Sequence, residues 1–228
     1  MNRLQDSPWN TEATVTSFVD APPNERLMAL AARERARGAM CAVDVGCGAG
    51  RNLVPLARGG WTIVGVDLSR PMIDAAAKRV EAGRLSSRVY LSLAPMDELP
   101  VASQTIDLII ANGIWNLAES GAEFRRAVLE AGRVAREGAA LFVFTFSRRT
   151  LSQSARPLDG ESFVFTGLFG QPQCFLTEEQ LVAELAAAGF VPDPTVPLAE
   201  LNVPRPGPIR AANVPVIFEA AFRFVGAR

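Results

Sequence analysis

The chain has 228 residues, 49% of them hydrophobic and 21% charged, a globular composition that excludes a disordered chain and a disulfide-stapled miniprotein. Its 23 Lys and Arg against 24 Asp and Glu leave a formal net charge of −1, so no global positive field attracts a nucleic-acid backbone. Histidine is absent, and the three cysteines, Cys41, Cys47 and Cys174, show no C-x-x-C spacing, which argues against imidazole catalysis, a metal site and a disulfide framework. No run approaches the roughly 18 apolar residues that span a bilayer. The N-terminus carries Asp6, Pro8 and Glu12 where a secretion signal needs an apolar core. The expectation is a cytoplasmic protein with neither membrane nor nucleic acid as partner.

In chain order, the first 38 residues read as polar turns around Trp9 and Phe18, then a helix from about Asn24 to Ala36. Met40 to Val45 is a short valine-rich run, followed by Gly46, Gly48 and Gly50 and an apolar segment from Leu53 to Ala57: strand, tight turn, helix. Trp61 to Val66 reads as a second buried strand ending at Asp67, and Ser69 with Pro71 opens a helix to about Ala82. Strands at Arg88 to Leu93 and Ile106 to Ala111, an amphipathic helix at Ala122 to Arg136 and a buried strand at Ala139 to Phe146 continue the pattern. Such alternation predicts an α/β fold with a parallel sheet.

From Ser147 to Phe175 the regular pattern lapses among Pro157, Gly160, Gly167, Gly170 and Pro172, and a connection of that length is usually functional. Thr177 caps a helix through Ala188 that Gly189 ends. A proline-rich stretch with Pro204, Pro206 and Pro208 leads to a strand near Val216 to Phe224, with Pro215 expected as its first residue.

The chemistry concentrates in Asp44-Val45-Gly46-Cys47-Gly48-Ala49-Gly50. Glycines between a strand and a helix let a ligand approach the backbone closely. A dinucleotide fingerprint needs glycine or alanine at the sixth position from Gly46, which is Arg51, so a nicotinamide-dependent enzyme is disfavoured. Asp67, at the end of the second strand, suits hydrogen bonds from both hydroxyls of a ribose. Asp44 would sit too close to a pyrophosphate and suits a ligand with a cationic group instead.

These residues resemble the class I S-adenosylmethionine-dependent methyltransferases. The resemblance covers about Met40 to Phe146 and rests on Val43 to Gly50, Gly65-Val66-Asp67-Leu68-Ser69, Met96-Asp97-Glu98-Leu99-Pro100 and Ile106 to Asn112, in the family's order. It implies a Rossmann-like, doubly wound, seven-stranded, mostly parallel sheet with an antiparallel last strand. S-adenosylmethionine would be the cofactor and S-adenosylhomocysteine the product. Asp44 would answer the ammonium and sulfonium, Gly46, Cys47, Gly48 and Gly50 would present backbone, Asp67 would hold the ribose, Leu68 would pack on the adenine and Met96 would offer its backbone N–H. The family often places an adenine-binding aspartate where this chain has Pro95, with Asp97 as a substitute.

By the same resemblance, Asn112 and Trp115 follow the fourth strand and line the methyl group and the acceptor, as the candidate catalytic residues. Residues 147–176 resemble a substrate-binding insertion, with Arg148, Arg149, Gln173 and Cys174 as candidate substrate contacts beside Trp9 and Trp115. The alternative for both tryptophans is core packing. Residues 1–38 would form a helical lid, and residues 39–228 the methyltransferase domain, as a monomer or homodimer.

A sulfonium already activates its methyl, so the protein mainly aligns reactants and excludes water. Without histidine, a protein base would be a carboxylate such as Asp97, Glu119 or Glu161. A small-molecule acceptor that is soft or already ionised, such as a thiol, metalloid or carboxylate, escapes that need. The alternatives are O- or N-methylation of a small metabolite, and a non-catalytic S-adenosylmethionine-binding protein.

Overall fold

A computed structural model of the chain describes residues 8–167, 170–203 and 214–226. Its helices are α1 (Glu12–Asp20), α2 (Glu25–Ala36), α3 (Leu53–Arg58), α4 (Arg70–Ala82), α5 (Gly121–Val134) and α6 (Glu178–Ala187). Its strands are β1 (Cys41–Val45), β2 (Thr62–Asp67), β3 (Val89–Leu93), β4 (Ile106–Asn112), β5 (Ala135–Phe146), β6 (Val164–Thr166), β7 (Pro172–Cys174), β8 (Phe190–Pro192), β9 (Ala199–Leu201) and β10 (Ile217–Phe224).

The main sheet runs β3-β2-β1-β4-β5-β10-β8, with β9 added to β10. Strands β1 to β5 are parallel neighbours, and β10 lies antiparallel to β5. The chain thus has the expected Rossmann-like α/β sheet with an antiparallel last strand, and β9 is the addition. Apolar faces of α2, α3 and α4 (Leu27, Leu30, Leu53, Leu56, Ile73, Ala76) close one side of the sheet. On the other side, Phe124, Ala127, Val128 and Ala131 of α5 pack with Leu181 and Leu185 of α6. Burial on both faces explains why the parallel strands are continuous apolar runs rather than alternating ones.

The helix starts follow the side chains that cap them. Ser69 accepts from the Met72 N–H, Ser120 from Glu123, and Thr177 forms a reciprocal capping box with Gln180. Three local expectations change. Residues 12–20 are a helix, with Thr11 accepting from the Thr14 N–H, where the sequence predicts polar turns. Helix α5 ends at Val134 and the chain enters β5 at once, because Ala135 pairs with Ile106 before a bulge shifts the register. Strand β10 begins at Ile217, after Pro215 rather than on it. Pro204, Pro206 and Pro208 lie outside the described residues.

The 147–176 insertion is more ordered than its composition suggests. It carries the antiparallel β6–β7 pair, and its ends meet where Ser147 bridges Leu176 and the Arg148 N–H donates to the Leu176 carbonyl at 2.8 Å. The excursion therefore leaves and rejoins the scaffold at one point beside the C-terminal end of β5.

Candidate active site

The turn after β1 is built by contacts that only glycine permits. Gly46 has φ 70°, and a Cβ there would stand 2.7 Å from the Ile114 side chain. Gly48 has φ 52°, and a Cβ there would stand 3.1 Å from the Phe18 ring of α1. The left-handed backbone turns N–H groups outward. One of them, on Gly48, donates to Asp67 Oδ2 at 2.9 Å, while the Ser69 N–H donates to Asp67 Oδ1 at 2.8 Å. Asp67 thereby ties the β1 turn to the β2 turn. Burial pushes its pKa up, opposed by the N–H groups of Ser69, Gly48 and Leu68. Beside it Leu68 is 48% exposed, an apolar side chain open for a flat ligand to cover.

Asp44 is the strongest anomaly in the fold. It sits one residue from the end of β1, is 1% exposed, and its Oδ2 has no hydrogen-bond partner. Burial raises its pKa to about 7, with Arg51 pulling down and Asp67 pushing up. A buried, incompletely bonded carboxylate costs free energy unless something answers its charge. Arg51, directly after Gly50, is itself half-buried; burial lowers its pKa against the opposing charges of Asp44 and Glu219.

A polar network joins this turn to the far strands. Asn24, the cap of α2, donates from its backbone to Asn52 Oδ1 at 3.1 Å and from Nδ2 to Asn112 Oδ1 at 3.3 Å and Glu219 Oε1 at 2.5 Å. Asn112 and Glu219 occupy one row of the sheet, each paired with Phe144. Arg26 Nε lies 3.7 Å from Glu219 Oε2. The Asn112 carboxamide is therefore oriented from outside its own strand.

The structure brings Asp44, Gly46, Cys47, Gly48, Gly50, Asp67, Leu68 and Asn112 to one end of the parallel strands. Trp9 joins them, since its carbonyl accepts from Ser69 Oγ at 3.2 Å and its ring meets Phe18 edge-on at 5.9 Å. Met96 is half-buried against the core. Asp97 is engaged by Arg126 at 2.9 Å. Trp115 is 1% exposed, packs on Phe124 and leaves its Nε1 without a partner. Its turn contacts β7, where Gln173 and Cys174 are buried.

Arg148 and Arg149 of the insertion are spoken for. Arg148 donates to the carbonyls of Ser152 and Ala155 at 3.1 and 3.0 Å and lies 4.7 Å over the Phe165 ring. Arg149 pairs with Glu200 at 2.6 Å. Cys174 donates to the Ala118 carbonyl at 3.4 Å, and burial, with the charges of Glu161, Glu123 and Glu184, pushes its thiol pKa up. Burial does the same to Cys47. For both thiols burial favours the protonated form. Sequence reasoning missed Arg51, Asn24 and Glu219, although the one acidic residue inside the largely apolar strand Ile217–Phe224 is a legible signal.

Residues 43–143 match the family described as "Methyltransferase domain", in agreement with the resemblance that the motifs of this region carry. A ubiquinone biosynthesis O-methyltransferase of Azorhizobium caulinodans is 30% identical over 152 residues, 65% of this chain and 57% of that protein. The chain spans about half the length of the curated relatives it matches, between 48% and 58% for the first three. Among solved structures, the [4+2]-cyclase SpnF superposes with TM-score 0.70 at 20% identity, over 96% of this chain and 95% of that one. A Burkholderia thailandensis 1,6-didemethyltoxoflavin-N1-methyltransferase, solved with its substrate and S-adenosylhomocysteine, gives TM-score 0.64 at 20% identity, over 89% and 80%. These likenesses establish the fold; that a cyclase shares it shows that fold alone does not name the reaction. Among the described residues, no helix is long and apolar enough to cross a membrane.

Proposed function

We propose that this chain transfers a methyl group from S-adenosylmethionine to a small molecule. The observation that carries the reading is Asp44, a buried carboxylate with an unpartnered oxygen beside a glycine turn that Asp67 ties to β2. These residues fit the cofactor: Asp44 answers positive charge, Gly46 and Gly48 allow close approach of backbone, Asp67 offers acceptors for ribose hydroxyls, and exposed Leu68 covers an adenine face. When bound, S-adenosylmethionine supplies an electrophilic methyl on a sulfonium. The protein's part is to align the two reactants and keep water out. Asn112, held by Asn24, lines the acceptor side, α1 with Trp9 and Phe18 forms the lid over the turn, and Trp115 is core packing against Phe124.

The acceptor that best suits this site attacks without help from a protein base. Of the candidate carboxylates, Asp97 is tied to Arg126, Glu161 accepts from the Gly121 N–H at 3.0 Å, and Glu119 is also engaged. The pairing of Arg148 and Arg149 argues against these two cations as the holders of a carboxylate or oxyanion acceptor. A thiolate fits both facts, since it is already ionised when it attacks. Oxygen methylation is the second reading, favoured by Glu219, a buried carboxylate joined to Asn112 through one carboxamide, and by the name of the Azorhizobium relative. In that reading Glu219 takes the hydroxyl proton.

The experiment is incubation with methyl-labelled S-adenosylmethionine and a small-molecule extract. Label in solvent-extractable small molecules supports the reading. Binding of the cofactor without transfer to any fraction supports a non-catalytic binding protein instead. An acid limb in the pH–rate profile that disappears in Glu219→Gln selects oxygen methylation.

A further inference from the structure

Helix α1 buries none of its residues, so its place over the glycine turn is set at its ends rather than by a core-facing stripe. Before it, Ser69 Oγ lies 3.2 Å from the Trp9 carbonyl and 2.7 Å from Asn10 Oδ1. Beyond its far end stands Asn24, whose side chain is committed at both ends. Its Oδ1 accepts from the Leu27 N–H at 3.0 Å as the cap of α2, which identifies the other end of the carboxamide as nitrogen. That nitrogen has two N–H groups to give, and they go to Glu219 Oε1 at 2.5 Å and Asn112 Oδ1 at 3.3 Å.

The backbone of the same residue reaches a third element, since the Asn24 N–H donates to Asn52 Oδ1 at 3.1 Å. Asn52 precedes α3 and is 3% exposed, yet its side chain makes no cap for its own helix; its oxygen is given to Asn24. One residue thus reaches the segment after the glycine turn through Asn52, the last residue of β4 through Asn112, and β10 through Glu219. Glu219 is buried, with Arg26 Nε 3.7 Å from its other oxygen. A carboxylate inside a sheet is costly unless its oxygens are answered, and for stability alone an apolar side chain serves as well. Asn112 stands at the carboxyl end of the parallel strands, where open α/β sheets bind their ligands.

We propose that Asn24 is a positioning residue for methyl transfer: at the root of the lid, it sets the side chains of Asn112 and Glu219, so that the acceptor side is arranged when α1 lies over the turn. It acts through those two residues, not on a ligand directly. This rests on the reading of the chain as an S-adenosylmethionine-dependent methyltransferase and extends it from the groups that meet the reactants to the one that orders them. Cofactor binding and acceptor alignment are then separable, the first held by the glycine turn and Asp67, the second by one carboxamide.

Two variants separate positioning from stability. Asn24→Ser keeps a side-chain oxygen to cap α2 and has no nitrogen for Asn112 and Glu219; Asn24→Ala has neither. Calorimetric titration of S-adenosylhomocysteine gives the affinity and, through its stoichiometry, the number of folded sites. Label transfer from saturating methyl-labelled S-adenosylmethionine into a small-molecule extract gives the rate per site. Both variants are expected to bind S-adenosylhomocysteine within about threefold of wild type and to transfer label roughly 10- to 100-fold more slowly per site, the cost of reactants held out of line. A merely structural residue would lower the number of folded sites and leave the rate per site unchanged. Should Asn24→Ala fail to fold, Asn24→Ser decides alone. A wild-type rate per site in Asn24→Ser, or a loss confined to S-adenosylhomocysteine affinity, overturns the proposal while the methyltransferase reading stands. If wild type binds no S-adenosylhomocysteine, or transfers no label, the reading fails and takes the proposal with it.

Discussion

At the glycine turn, Asp44 is buried with one carboxylate oxygen that has no hydrogen-bond partner. In the 147–176 insertion, Arg148 and Arg149 are as conspicuous in the sequence, yet carbonyls, an aromatic ring and Glu200 account for both guanidiniums. The difference teaches how to weigh a charge. A satisfied charge holds scaffold, and its removal costs stability; an unsatisfied buried charge is tolerated because a ligand completes it. On the proposed reading, the satisfied charges of the insertion are scaffold, and the turn is where the cofactor binds.

Asp67→Ala gives the largest effect, because it removes both the ribose acceptors and the tie between the β1 and β2 turns. The expected loss of S-adenosylmethionine affinity is about 1–3 kcal/mol for buried hydrogen bonds left unmade, read by calorimetry. Unchanged affinity would place the nucleoside elsewhere.

Next comes pH. Asp44 has a folded pKa of about 7 against an ordinary value near 3.8, so without ligand the folded protein holds a proton that the unfolded chain releases between those limits. Its contribution to stability is therefore favourable at the acid end and declines as pH rises toward 7. Affinity for an ammonium-bearing cofactor moves oppositely and rises through that range. Thermal shifts with and without S-adenosylhomocysteine between pH 5 and 8 check both signs. Parallel curves would remove Asp44 from the site.

Arg148→Ala sharpens the comparison from the other side. It is expected to lower stability by about 1–2 kcal/mol, through two carbonyl hydrogen bonds and a ring contact, with cofactor affinity intact. Arg149→Ala, at an exposed ion pair, is expected to cost no more than about 1 kcal/mol in denaturant unfolding. A loss of cofactor affinity in either variant would break the distinction between scaffold and site.

Much of the fold was legible because its strands are buried on both faces and its helices begin at Ser, Thr or Asn caps. Asp44, Gly46, Gly48 and Asp67 were legible for a similar reason: a charge in an apolar strand, and glycines at a strand–helix junction, are costly to a fold unless a ligand makes use of them. Glu219 shows the limit, since its partner Asn24 lies 195 positions away in sequence and Asn112, which shares that partner, 107 away, and the pairing of β10 with β5 beside β4 brings Glu219 and Asn112 into one row. The 12–20 helix was hidden because it buries none of its residues, so no apolar stripe announces it. In the insertion, prolines and glycines concealed a hairpin whose order comes from Phe163, Phe165 and Phe175 packing beneath it.

The most direct test of the account is titration of S-adenosylhomocysteine into wild type and Asp44→Asn near pH 7, in two buffers of different ionisation enthalpy. The account predicts that wild type binds with release of a proton, as the ammonium stabilises the ionised carboxylate, and that Asp44→Asn binds more weakly with no proton released. Equal affinity in the two proteins, without proton release in either, would contradict it.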